Sequence, residues 1–211
     1  MAPAIKAFDE YPFGVSWVLE ESLQRTSHAL VVDGRVWLVD PVDVPEAIER
    51  ATALGPPAGV LQLLDRHDRD CAALARRLGV PHLNVPDGVP GTPFEAIPGV
   101  RVRGWRETAL WWPERAALVV AEVVGSNRLY TGGSGVVGMH PLLRAFAPGR
   151  LRRFGPEHLL MGHGVGIHGP EAARQLERAH HRARRDIPRV LLSLPSALRS
   201  RGLTPLCSGM K

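Results

Sequence analysis

The stretch from Gly59 to Pro81 (GVLQLLDRHDRDCAALARRLGVP) constrains the fold more than any other part of the chain. Gly59–Leu64 is an apolar run of strand length, and it breaks off into the polar hexapeptide Asp65–Asp70. Cys71, Leu74, Ala75 and Leu78 then recur at helical spacing up to Gly79, a helix-stopping residue. A strand that leaves through a polar loop and returns as an amphipathic helix belongs to a layered α/β protein.

The remaining chain repeats the pattern. His28–Val32 and Val36–Val39 flank Asp33-Gly34, which predicts a hairpin. Asp43-Val-Pro-Glu46 reads as a helix start capped by Asp43, with Val44, Ala47, Ile48, Ala51 and Leu54 on one face and Gly55 as the stop. Residues 81–98 contain five prolines and read as a loop with short strands at most. Val100–Val102, Ala109–Trp112 and Ala117–Val123 read as strands, with a turn at Pro113-Glu114. Gly132–Gly135 reads as a flexible loop, His140–Phe146 as a short helix and His158–Met161 as a last strand. Gly162–Gly166 is a loop before a helix that opens at Pro170 and carries Ala172, Leu176, Ala179 and Ala183 on one face. A further short helix is expected over Val190–Arg199, and the final ten residues, which have no periodic pattern, are expected to be mobile. Periodicity alone leaves several layered folds open.

At 211 residues the chain fits one domain, or at most a small domain with an appendage, and its 45% hydrophobic content suits a globular core. No apolar run approaches a membrane span, and the first residues lack the basic start and apolar core of a secretory signal. Two cysteines, Cys71 and Cys207, make no disulfide framework, so a cytoplasmic setting is expected. Charge is uneven: residues 143–211 hold 13 basic and 4 acidic side chains. That asymmetry suits an acidic partner or a solvated arginine face. Nucleic acid is disfavoured, because no aromatic residue follows Phe154 to stack on bases.

Asp65, His67, Asp68 and Asp70 crowd the end of a strand, where carboxylates and imidazole can hold Zn, Fe or Mn. The competing reading is a capped helix start neutralised by Arg66 and Arg69. Cys71 is expected on a buried helix face. Of Trp111 and Trp112, one ring should face the core and the other outward. Gly132-Gly-Ser-Gly135 only loosely resembles a phosphate cradle, since no Gly-Lys-Ser/Thr follows. His140 and His168 read as loop residues, and His180-His181 receives no role.

Four segments together resemble the metallo-β-lactamase superfamily over roughly residues 10–185. SHALVVDGRVWLVDPVD is similar to the family's opening hairpin, LLDRHDRDCAALARRLGVP to its strand–loop–helix, LVVAEVVG to the strand ending in Gly-Asp, and HLLMGHGVGIHG to the strand before the closing Gly-His-Gly. The resemblance implies a four-layer αββα sandwich of two mixed β-sheets over residues 1–186, with 187–211 as a C-terminal helical extension and tail. It places Asp40 as the residue orienting the metal-binding loop. Laid on the family's His-x-His-x-Asp-His loop, Asp65 and His67 fall at the first two histidines, Arg69 at the aspartate and Asp70 at the third histidine. Glu122 falls at the bridging aspartate and His163 at the final histidine, while Gly104–Glu107 offers no histidine where another is expected.

These departures imply an eroded metal site: a non-catalytic or weakly active protein, without a metal, that binds a small molecule or partner in the ancestral cleft. The alternative is one divalent metal (Zn, Fe or Mn) on Asp65, His67, Asp70, Glu122 and His163, serving a hydrolase of an ester, thioester, lactone or phosphoester. Asp70 or Glu122 would then be the general base. Arg69, Asp40 and Trp105 complete the expected pocket. Arg69 is expected to fill the metal space and pair with Asp65, Asp70 or Glu122.

Overall fold

The computed structural model describes residues 3–67 and 69–192. Its first sheet takes up the N-terminal half. Strands β1 (Ile5–Tyr11), β2 (Gly14–Leu19), β3 (Thr26–Val32) and β4 (Arg35–Val39) run antiparallel in sequence order. β5 (Pro57–Gln62) and β6 (His82–Asn84) then add parallel to β4. The crossovers are α1 (Pro45–Ala53) and α2 (Cys71–Leu78). α2 ends at Gly79 in the left-handed conformation, as its sequence predicts. The start of α1 differs. Val44 takes the cap position without a side-chain hydrogen bond, and Pro45 opens the helix. The expected cap, Asp43, instead forms an ion pair with Arg77 of α2.

The second sheet begins with β7 (Glu95–Val102), β8 (Trp105–Trp112) and β9 (Ala117–Val120), all antiparallel. A small separate pair, β10 (Val124–Gly125) and β11 (Gly138–Met139), flanks the short helix α3 (Arg128–Thr131). β12 (His158–Met161) joins parallel to β9, and β13 (Ile167–His168) closes the edge antiparallel to β12. His168, expected in a loop, therefore lies on a strand, where it bonds His158 and Asp9. The expected helix at His140–Phe146 is a 3₁₀ segment over Pro141–Phe146. α4 (Glu171–Arg182) follows Pro170, residues 187–192 are again helical, and the rest of the expected Val190–Arg199 helix lies outside the described residues.

Side-chain alternation explains the layering. Along the first sheet Val15, Trp17, Ala29, Val36, Leu38 and Val60 turn outward onto Ala47, Ile48 and Ala51 of α1 and Cys71 and Leu74 of α2. Their neighbours Leu30, Val32, Val39 and Leu61 turn inward and meet Ile97, Leu110, Leu118 and Leu160 of the second sheet. Ala172, Leu176 and Ala179 of α4 pack on the outer side of that second sheet, in contact with β12 and β13. Two mixed sheets face each other between outer helices, giving the four-layer αββα order. Trp112 is buried against Phe13 and Phe94, while Trp111 is half-buried on Phe154.

At one end the sheets are stitched together. Past β5 the chain crosses to the second sheet, where Thr108 N–H bonds Leu63 O (2.9 Å) and Asp65 N–H bonds Arg106 O (3.0 Å). Past β12, Gly162 O accepts from Thr26 N–H (2.8 Å). The polar loop after β5 thus lies at the seam of the sheets.

Candidate metal centre

His67, on the loop after β5, and His163, in the loop after β12, face each other across the seam with ring centroids 5.9 Å apart. Glu122, just past β9, sits between them. Its Oε1 lies 3.3 Å from His67 Nε2 and 3.7 Å from His163 Nε2. One donor atom from each of the three residues lies within 4.8 Å of the others. Gly162 makes this approach feasible, because a Cβ there would stand 2.4 Å from Ala121 O.

Each imidazole is held from behind. Asp40, in a left-handed conformation (φ +44°), accepts Leu63 N–H on Oδ1 and His67 Nδ1–H on Oδ2, at 3.0 and 3.2 Å. His163 Nδ1 donates to Leu23 O at 3.0 Å. Both rings therefore turn Nε2 toward Glu122, and His67 donates a second N–H to its Oε1 at 3.3 Å, a proton that a metal would displace. His163 Nε2 is buried without a hydrogen-bond partner among the described residues. Burial outweighs Glu122 and leaves the His163 pKa below its ordinary value, so the ring is neutral with a free lone pair. Burial and Arg69 pull the His67 pKa down, but the Asp40 and Glu122 carboxylates outweigh them and raise it. Burial works against the Glu122 carboxylate too, yet His163, His67 and Arg66 hold its pKa well below the usual range. Two imidazoles and a carboxylate, with an unpartnered buried nitrogen among them, fit one divalent metal.

Arg69 also turns inward, but to other partners than expected. Its Nη1 donates to Thr26 O (2.6 Å) and Asp40 O (2.9 Å), and its Nη2 to Gly162 O (3.1 Å). These carbonyls lie within reach because the loop crosses the seam, so the guanidinium ties the two sheets together instead of neutralising an acid. Arg66 is the arginine on Glu122, at 2.6 Å from Oε2, with its guanidinium over the Trp105 ring at 3.9 Å. Asp65 and Asp70 stay outside the converging group. Asp70 Oδ2 accepts Asp43 N–H at 2.8 Å, and Asp65 Oδ1 is buried without a partner among the described residues. Asp68 lies outside the described residues. Cys71 is buried on α2, and burial pushes its thiol pKa up.

Three further residues shape the centre. Glu107, fully buried on β8, accepts the N–H groups of Ala121, Glu122 and Val123 on Oε1 at 3.0–3.2 Å, and so holds the segment that carries Glu122. Burial raises its pKa to about 7 against those bonds. The sequence did carry a signal: Trp105, Glu107 and Ala109 share one face of a strand, and an acid there is out of place. His140 Nδ1 accepts Leu142 N–H, which leaves Nε2 protonated and 4.0 Å from Glu122 Oε2. Burial lowers the His140 pKa to about 4. Tyr130 stacks on His163 at 5.5 Å and meets His140 edge-on. Only folding brings these two rings to the site.

No family model matches the sequence, and no curated protein matches it either. Solved structures do. A metallo-β-lactamase from Erythrobacter litoralis superposes with a TM-score of 0.58 at 13% identity, over 87% of this chain and 96% of that one. The chain has the metallo-β-lactamase fold. The chemotaxis sensor ODP of T. denticola in its apo state matches with a TM-score of 0.55 at 13% identity, over 86% of this chain and 94% of that one. TTHA1623 in a di-iron-bound form matches with a TM-score of 0.52 at 19% identity, over 72% and 94% respectively. The His67–Glu122–His163 cluster sits on this fold at the joined end of the sheets. No helix among the described residues is long and apolar enough to cross a membrane.

Proposed function

We propose that the protein holds one divalent metal (Zn, Fe or Mn) on His67 Nε2, Glu122 Oε1 and His163 Nε2, and hydrolyses an ester, thioester, lactone or phosphoester. The observation that carries this reading is the convergence of three donor atoms within 4.8 Å, with both imidazoles oriented from behind. The metal, when bound, supplies Lewis-acid chemistry: it acidifies water and polarises a scissile carbonyl or phosphoryl group. The chain's own part is orientation and charge. Asp40 and Leu23 O fix the two rings. Arg66 offsets the second oxygen of Glu122. His140 turns a neutral N–H donor into the cleft, suited to an oxygen of the substrate. Trp105 walls the opening beneath Arg66. Arg69 places a buried cation beside the site, which disfavours a second metal. Of the two expected general bases, Asp70 is engaged with the backbone of Asp43, and Glu122 is committed to the metal through Oε1 and to Arg66 through Oε2, so neither is free for that role.

A second reading, a metal-free polar pocket that binds a small molecule, is favoured by the Arg66–Glu122 contact, which satisfies a carboxylate oxygen without any ion. Metal analysis of protein purified without chelator or nickel resin separates the two. One equivalent of metal in the natural chain, lost in His163→Ala, is the expected result. Less than a tenth of an equivalent after loading with Zn, Mn and Fe in turn would establish the metal-free pocket.

A further inference from the structure

Two features of the sequence play no part at the metal centre: the Gly132-Gly-Ser-Gly135 loop and the arginine excess of α4. The fold brings them together. A cavity of about 120 Å³ lies between that loop and α4, and Ser134, Gly135, Arg144, Arg178, Arg182 and Asp186 line it. We infer that this cavity is a binding site for a phosphate group.

The charge balance points to an anion. Three arginines line the space against a single carboxylate, Asp186. That carboxylate is shared at long range, 3.5 Å from Arg182 and 3.9 Å from Arg144. The Arg178 side chain makes no hydrogen bond or ion pair with any described residue, and its charge acts only at longer range on Glu171. Arg144 is the strongest sign of a built site. Its side chain is 2% exposed, it donates to Tyr130 O and Ala183 O, and its Nε is buried without a partner among the described residues. A buried cation with an unfilled donor and only a distant carboxylate is costly unless an anion completes it.

The loop supplies what side chains do not. Gly133 and Gly135 adopt φ +77° and +86°, which only glycine takes without strain, and a Cβ on Gly135 would lie 3.9 Å from Arg182 Nη1. The backbone can therefore approach an oxyanion closely beside the Ser134 hydroxyl. Arginine forks with a hydroxyl and open backbone suit a tetrahedral dianion better than a single carboxylate. Tyr130 stands between this cavity and the candidate metal centre: its carbonyl takes Arg144 and its ring stacks on His163. The site stands independently of any metal.

Inorganic phosphate and pyrophosphate are the probes, titrated calorimetrically into the full chain in EDTA, with chloride at matched ionic strength as the control. Phosphate or pyrophosphate is expected to bind with one-to-one stoichiometry at millimolar affinity or better. Arg178→Gln and Arg182→Gln, both exposed side chains, should each weaken it about tenfold while leaving the unliganded melting temperature unchanged. Saturable binding that survives both substitutions would place the anion elsewhere and overturn the inference. So would heats that chloride reproduces, or the absence of binding.

Discussion

Arg69 offers the sharpest test of how the two sheets are joined. Its guanidinium donates to the carbonyls of Thr26, Asp40 and Gly162, drawn from the start of β3, the end of β4 and the end of β12. Hydrogen bonds from a charged donor contribute about 1.5–3 kcal/mol each. Two of the three carbonyls keep a second partner, since Asp40 O also accepts Ser27 Oγ and Gly162 O accepts Thr26 N–H. Burial of the charge also costs energy, and burial lowers the Arg69 pKa despite Asp40. The net loss in Arg69→Met, which keeps the volume and removes the charge, should therefore be about 2–3 kcal/mol. Arg69→Lys should cost more, about 3–5 kcal/mol, because one ammonium group stays buried without reaching all three carbonyls. Urea denaturation followed by tryptophan fluorescence measures both, with the slope against denaturant reporting whether the variants still fold to the same extent. A methionine variant at least as stable as the natural chain would refute the reasoning, for the guanidinium would then be a net cost at the seam.

Three other outcomes follow from the same geometry. Gly162→Ala should lose several kcal/mol, on the order of a severe backbone clash, because its Cβ would meet Ala121 O at 2.4 Å; a change below about 1 kcal/mol would mean that β12 can retreat freely. His28 is buried, and burial lowers its pKa to about 4 from 6.5, so the unfolded chain takes up a proton there before the folded one does. Stability should be full above pH 6.5 and fall by roughly 3 kcal/mol per such histidine as pH drops through 4. His28→Gln should remove part of that acid limb, which His140 and His163 share; an unchanged limb would count against the assignment. Glu107, raised to about 7 from 4.5 chiefly by burial, works in the opposite direction in metal-free protein: it favours the fold below pH 4.5, and that contribution is lost as pH rises through 7. Glu107→Gln, whose carbonyl still accepts three N–H groups, should be the more stable of the two chains above pH 7 by about 1–3 kcal/mol, and equal stability at pH 8 would rule out the buried charge.

The order of strands and helices was legible because it is written in local patterns, whereas their four-layer stacking followed only from the family resemblance. Alternation at β3 and β4, helical spacing at Ala47–Ala51 and Cys71–Leu78, and punctuation by Gly79 and Pro170 all act over a few residues, and the fold obeys them. His67, Glu122 and His163 were also within reach, through the four segments that resemble a known family. The partners of the two loop arginines were not. Arg66 and Arg69 are three residues apart in one polar loop, and nothing in the sequence says which will meet Glu122. The loop's crossing of the seam decides it: Arg66 is swung onto Trp105 and Glu122, while Arg69 is left among the carbonyls of both sheets. The same holds for Asp65 and Asp70, which their spacing groups with His67 and the folded loop turns elsewhere. Tyr130, His140 and Arg144 carry no local signature at all. Local periodicity determines which face of each element is buried. Which polar groups meet is a long-range matter, fixed only when loops from both sheets close on one another and every buried donor must find an acceptor there.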